Sequence, residues 1–142
     1  MKIDFVRAIA GGVFGTVVMT VVGVYVVPMM GLVPMNPVNM LAGQMGQNMM
    51  LGWGGHFMIG TVLAVMYAGV GSHIPGPGPV RGAMFSLAPW LMAQVALIPM
   101  MGMPLFSGDA MMAMGSLIGH MVFGAVLGAV YGEAGKAVRA AA

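Results

Sequence analysis

The amino-acid sequence predicts an all-α integral membrane protein, a four-helix bundle made of two parallel two-helix repeats with both termini inside (N-in/C-in). Three observations lead there. Of 142 residues, 60% are hydrophobic and 6% are charged, against about 25% charged in ordinary soluble domains. Five basic and three acidic side chains cannot coat a water-soluble fold. Four apolar windows reach the length of roughly 20 residues that a spanning helix requires. Lastly, the chain says nearly the same thing twice: GHFMIGTVLAVMYAG (55–69) returns as GHMVFGAVLGAVYGE (119–133), with six identities in fifteen positions.

The windows are about Val6–Val27, Met50–Gly71, Val80–Met103 and Met111–Gly132, parted by PMMGLVPMNP, HIPGPGP and GMPLFSG. Lys2 ahead of the first window and Arg7 at its very start give it the look of a signal peptide. Its apolar run is about twice a typical h-region, and Pro28-Met29-Met30 offers no small-x-small cleavage site, so a retained span is expected. In the long connection that follows, Asn36-Pro37 reads as an N-cap with proline at the first helical position. Val38, Leu41, Met45 and Met49 recur every three or four residues, which predicts a short helix lying in the outer interface. The loop HIPGPGPVRG is brief and proline-stiffened, suited to a tight link between neighbouring helices. All five basic residues, Lys2, Arg7, Arg81, Lys136 and Arg139, fall on one side of this layout. The positive-inside rule then makes both termini cytoplasmic in a multi-pass protein of the cell (inner) membrane.

A single membrane domain over 1–142 is expected, with one repeat at about 6–71 and the other at about 80–133. Val6-Arg7 matches Val80-Arg81, and Pro28-Met29-Met30-Gly31 matches Pro99-Met100-Met101-Gly102. Two spans per repeat mean that both repeats enter the membrane from the same side, related by an axis along its normal. His56 and His120 then sit on helices of the same direction, roughly 8–12 Å inside the outer end at 1.5 Å per residue. His56, Gly60, Leu63 and Tyr67 form one helical stripe, and His120, Gly124, Leu127 and Tyr131 repeat it. Small residues run alongside, Gly128 among them, so Gly60, Gly124, Gly128, Tyr67 and Tyr131 are read as helix-packing positions. The imidazoles on that seam face protein rather than lipid.

The chemistry available is narrow. Without cysteine there is no thiolate site. A net charge of +2 with no aromatic-basic pattern gives nucleic acid nothing to bind. Asp4, Asp109 and Glu133 sit near span ends, and no acid-base pair, nucleophile elbow or phosphate loop can be assembled, so an enzyme is not expected. Three readings of the histidines stay open. Each can be a structural imidazole bonded across the seam, with Thr16, Thr20, Ser86 and Gln94 as candidate partners. The pair can be axial ligands of a b-type haem, although the outer half has no Lys or Arg to meet propionates. Or they can join methionine in a Cu(I) site, since thioethers are soft ligands. Most of the 20 methionines fall in the outer loops or at outer helix ends, among them Met29, Met30, Met100 and Met101. Methionine is also a flexible core filler.

SLIGHMVFGAVLGAVYG (116–132), with PGPVRGAMF (77–85) and GHFMIGTVLAVMYAG, resembles an uncharacterised family of small four-span prokaryotic membrane proteins. The resemblance covers residues 50–135 and, loosely, the first span. It implies the same bundle and brings no activity with it; the methionine-laden outer loop goes beyond its usual pattern. The leading functional expectation is a non-enzymatic small subunit or accessory protein, in contact with lipid and docking through glycine faces to itself, as a homo-oligomer, or to other subunits of a larger membrane complex. The alternative is a carrier of haem or copper held by His56 and His120.

Overall fold

The computed structural model describes residues 3–132; Lys2, Glu133, Lys136 and Arg139, which enter the charge reading, lie outside the described residues. Four helices are long and apolar enough to cross a membrane: α1 (Phe5–Met29), α3 (Met49–His73), α4 (Gly78–Met100) and α5 (Ala110–Gly132). The short α2 (Pro37–Gln44) lies between α1 and α3. Each span carries large apolar side chains that remain exposed, such as Phe14, Met58, Leu91 and Met121, as a lipid-facing surface demands.

Helix starts are written in short polar side chains that accept hydrogen bonds from otherwise orphaned backbone donors. Asp4 accepts from the Arg7 N–H at 3.0 Å, Asn36 from Asn39 at 3.1 Å, and Asn48 from Met50 and Leu51 at 3.0 and 3.2 Å. Asp109 opens α5 by accepting from Met111 and Met112 at 2.7 and 3.0 Å. Two of the chain's three carboxylates are thus occupied as helix caps.

The ends of α1 and α4 repeat one another closely. Proline lacks an N–H and its ring crowds the carbonyl four residues back. Just before Pro28 and Pro99 the backbone widens into a π turn, at Val22–Val26 and Ala93–Leu97. Both helices then finish on glycine in the left-handed region, Gly31 at φ 77° and Gly102 at φ 85°. The Gly31 and Gly102 N–H groups donate to Pro28 and Pro99 carbonyls, and Leu32 and Met103 to Val27 and Ile98. That is the Schellman arrangement, and it needs a residue without Cβ strain at the glycine. Pro89 of α4 lies within regular helix, and the departure from α geometry begins at Ala93.

The bundle is a row rather than a closed ring. α1 packs on both α3 and α5, α5 packs on α4, and α3 and α4 scarcely touch. The α1/α3 contact places Gly12 against Gly60 and Ala64, with the Thr16 hydroxyl over Gly60. The α4/α5 contact places Gly82 against Gly124 and Gly128, with the Ser86 hydroxyl over Gly124. Thr16 donates to the Gly12 carbonyl at 2.7 Å and Ser86 to the Gly82 carbonyl at 3.0 Å. Those hydroxyls are therefore held by their own helices and do not reach a histidine. Equivalence of these contacts aligns Gly12 with Gly82, one helical turn away from the match of Arg7 with Arg81 read in the sequence.

Helix α2 has the expected cap but ends at Gln44, so Met45 and Met49 fall outside it. Val38 and Ala42 are its buried face, pressed on Gly52 of α3, where a Cβ would stand 2.6 Å from the Val38 carbonyl oxygen. At the opposite end of the bundle the two repeat tyrosines meet. Tyr67 contacts Phe85 of α4 edge-on at 5.3 Å between centroids and Tyr131 at 5.9 Å. Tyr67 forms a buried core with Ala64, Phe123 and Leu127, and Phe85 and Tyr131 pack against it.

Glycine at these seams is expected to be irreplaceable. Gly124→Val, which drives a side chain into the Ser86 hydroxyl and the Gly82 carbonyl, should cost about 3 kcal/mol or more. Gly54→Ala, where nothing lies within 4 Å, should be neutral or slightly stabilising because alanine favours the helix. Thermal unfolding of both variants in mild detergent checks the contrast.

Candidate functional site

Above that aromatic floor, in the half of the bundle covered by α2, the spans part around a cavity of ≈ 410 Å³. All four spans and α2 contribute to its wall, and both His56 and His120 border it. The lining contains no Asp, Glu, Lys or Arg.

The two imidazoles lie at one level on either side of α1. His56 Nε2 is 2.9 Å from the Thr20 hydroxyl oxygen of α1, and the ring is buried. Gly119, beside His120, packs against Met19, the neighbour of Thr20. Neighbouring hydrogen bonds fix where the ring protons are. Thr20 has one hydroxyl proton and donates it to the Thr16 carbonyl at 2.7 Å. It therefore accepts from His56, which carries its proton on Nε2 and leaves Nδ1 bare. His120 Nδ1 lies 2.9 Å from the Ser116 carbonyl oxygen. A carbonyl can only accept, so His120 is protonated on Nδ1 and its Nε2 is bare. Each histidine thus ties its one N–H back into the protein and keeps a free lone pair.

Gln94 is a polar hub on the α4 side. It is fully buried, donates from Nε2 to the Ser116 hydroxyl at 3.2 Å, and accepts from the Ser107 hydroxyl at 3.2 Å. These bonds tie α4, α5 and the loop between them together. Of the histidine partners foreseen in the sequence, Thr20 serves His56, while Gln94 serves Ser116. Ser107 and Ser116 were invisible as partners, because only the folded chain brings residues 94, 107 and 116 together.

The methionine set changes as well. Met100 and Met101 border the cavity, but Met29 and Met30 do not and remain exposed. Met19, Met35, Met40 and Met92 take their place, so six thioethers line the space beside the two imidazoles. Among the described residues no group of three or more His, Cys, Asp or Glu side chains could hold a metal ion. Gly60, Gly124, Gly128 and Tyr67 are buried and Tyr131 is partly so, all at helix contacts.

The wall has a weak side. Tyr67 and Phe85 meet across the α3/α4 seam near the floor, and these two helices make far fewer contacts with each other than either makes with its other neighbour. Met92, Ala96 and Leu97 border the cavity yet stay exposed. All three are apolar, so the cavity is bordered there by exposed apolar side chains of α4.

A profile of a protein family of unknown function, DUF6789, matches residues 3–141. The chain belongs to that family. The match takes in the first span, beyond the region where the sequence resemblance was strongest. No curated protein and no solved structure matches the chain.

Removing the Thr20 hydroxyl should expose how much the His56 tether matters. Thr20→Val leaves a buried ring N–H without an acceptor, a loss of about 1–3 kcal/mol, whereas Thr20→Ser keeps the bond and should stay within about 1 kcal/mol of the parent. Detergent-solubilised thermal unfolding distinguishes the two.

Proposed function

We propose that this protein is a non-enzymatic, membrane-embedded binding protein that holds a small ligand between its helices, with His56 and His120 as the recognising groups. One observation carries the reading: two histidines from different helices, each with its N–H already engaged, border one apolar cavity. Ligand pockets of about 300–1,000 Å³ with mainly apolar walls and a few fixed polar groups are the usual form of small-molecule sites. Buried ionisable side chains in a membrane are expensive and mark function by default.

The cofactors foreseen in the sequence fit this cavity unequally. Haem would require cationic or other strong donors for its propionates, and the lining carries no Lys or Arg. Copper finds soft thioethers and two unprotonated imidazole nitrogens, and ligating histidines commonly donate their second N–H to a carbonyl, as His120 does. Size speaks against a lone ion. A sphere of ≈ 410 Å³ has a radius of about 4.6 Å, twice a metal–sulfur bond of ~2.3 Å. The walls would have to draw in around one ion, whereas an organic molecule fills the space as it stands.

An accessory subunit docking through glycine faces has less support. Gly12, Gly60, Gly82, Gly124 and Gly128 are all engaged in contacts inside the chain. We further propose the inner membrane of the cell as the location, with the Arg7 and Arg81 end toward the cytoplasm.

Native mass spectrometry of protein released from its own membranes should show a retained small molecule, absent from Ala93→Trp, which pushes an indole into the cavity. A bare chain from gentle extraction, or an adduct untouched by Ala93→Trp, would refute the binding role; stoichiometric copper lost in His56→Ala would restore the metal. Because the sequence lacks cysteine, orientation is testable with single introduced thiols. An impermeant maleimide applied to intact cells should label Gln47→Cys and not Ser72→Cys; the reverse pattern would invert the topology.

A further inference from the structure

Resting on that binding role, we infer that the ligand is a neutral, membrane-soluble hydroxylated aromatic, of the hydroquinone class, that enters from the bilayer between α3 and α4. Four features of the cavity select this chemistry. With no charged side chain in the lining, a carboxylate, phosphate or ammonium ligand would have no counter-charge in a low-dielectric site. The thioethers favour an aromatic ring, since methionine sulfur packs well at ring edges, and Phe123 adds an aromatic face.

The tautomers then choose the ring's substituents. With the His56 proton given to Thr20 and the His120 proton given to Ser116, the ring nitrogens left over are both acceptors. The Thr16 hydroxyl proton is likewise spent, on the Gly12 carbonyl. Two acceptors at one level, on helices either side of α1, ask for a ligand that donates at two places. An aromatic diol does so; its ether does not.

The way in follows from the row-like packing. A floor of Tyr67, Phe85 and Phe123 closes the inner end and α2 covers the outer one. The remaining approach is the sparsely packed α3/α4 seam, flanked by Met92 and Leu97, both exposed and apolar. A molecule dissolved in lipid can reach the imidazoles there without crossing water, and an alkyl tail can remain in the bilayer.

Equilibrium dialysis of the detergent-solubilised full chain with radiolabelled tetramethylhydroquinone, kept reduced, tests this against the dimethyl ether of the same compound. The expected result is one hydroquinone per chain and about tenfold or more weaker binding of the ether, the loss anticipated for two hydrogen bonds. The double variant His56→Leu/His120→Leu should bring the two affinities together. Equal binding of hydroquinone and ether to the parent chain would overturn the inference while leaving a binding cavity in place. Ala93→Trp binding hydroquinone as well as the parent does would overturn both, because the site would lie elsewhere. Copper bound one per chain with neither aromatic bound would overturn the inference in favour of a metal. The ligand-side comparison needs no variant, so a misfolded double variant cannot obscure it.

Discussion

In lipid, helices gain nothing by hiding apolar surface from water, and what holds them together is close packing and satisfied polar groups. This chain meets that constraint at two small patches, Gly12 on Gly60 and Gly82 on Gly124. At each patch a hydroxyl on the first helix, Thr16 or Ser86, bonds back to its own backbone directly above the partner glycine. The hydroxyl thus needs no bond across the seam and the backbones can approach until carbonyls meet Cα atoms. Every other feature of the bundle follows from how two such hairpins lie beside each other.

They meet through α1 and α5 rather than through all four helices. Gly15 of α1 abuts Phe123, and Gly11 abuts Leu127, which fastens the hairpins along one side only. The other side, between α3 and α4, has few contacts, with Tyr67 against Phe85 among them. A cavity walled by all four spans and α2 is the direct consequence. The two repeats differ where they border it: Thr20 holds His56, whereas His120 has only its own helix backbone, at Ser116. Gln94 gives the second hairpin a polar tie that the first lacks. Equivalent histidines have thereby acquired opposite tautomers, and with them bare nitrogens at different ring positions.

Much of this was legible in the residues. Spans, caps and the histidine stripe are local patterns with a fixed period, and helix geometry converts them into faces without further information. Asn36-Pro37 announced α2, and the paired Pro-x-x-Gly endings announced matching helix ends. What escaped the sequence depends on distance in space. Which methionines gather round the histidines is decided by the fold: Met92 and Met19 enter the site from α4 and α1, while Met29 and Met30, at the very place the repeat pattern suggested, project outward. Only the match of Arg7 with Arg81 falls one turn away from the packing, because Val-Arg recurs near both span starts while the contacts answer to the glycine-hydroxyl pairs. The Gln94–Ser116–Ser107 chain could not be foreseen, since no periodicity links those positions.

The central claim is that the seams hold two histidines beside one cavity, each proton tied into the protein. Nitrogen-15 solid-state NMR of histidine-labelled protein in lipid, with His73→Ala removing the exposed third ring, reads those protons directly. The account predicts one ring protonated on Nε2, assigned to His56, and one on Nδ1, assigned to His120, both persisting without exchange. Two rings in the same tautomer, or a pair that interconverts freely, would contradict it.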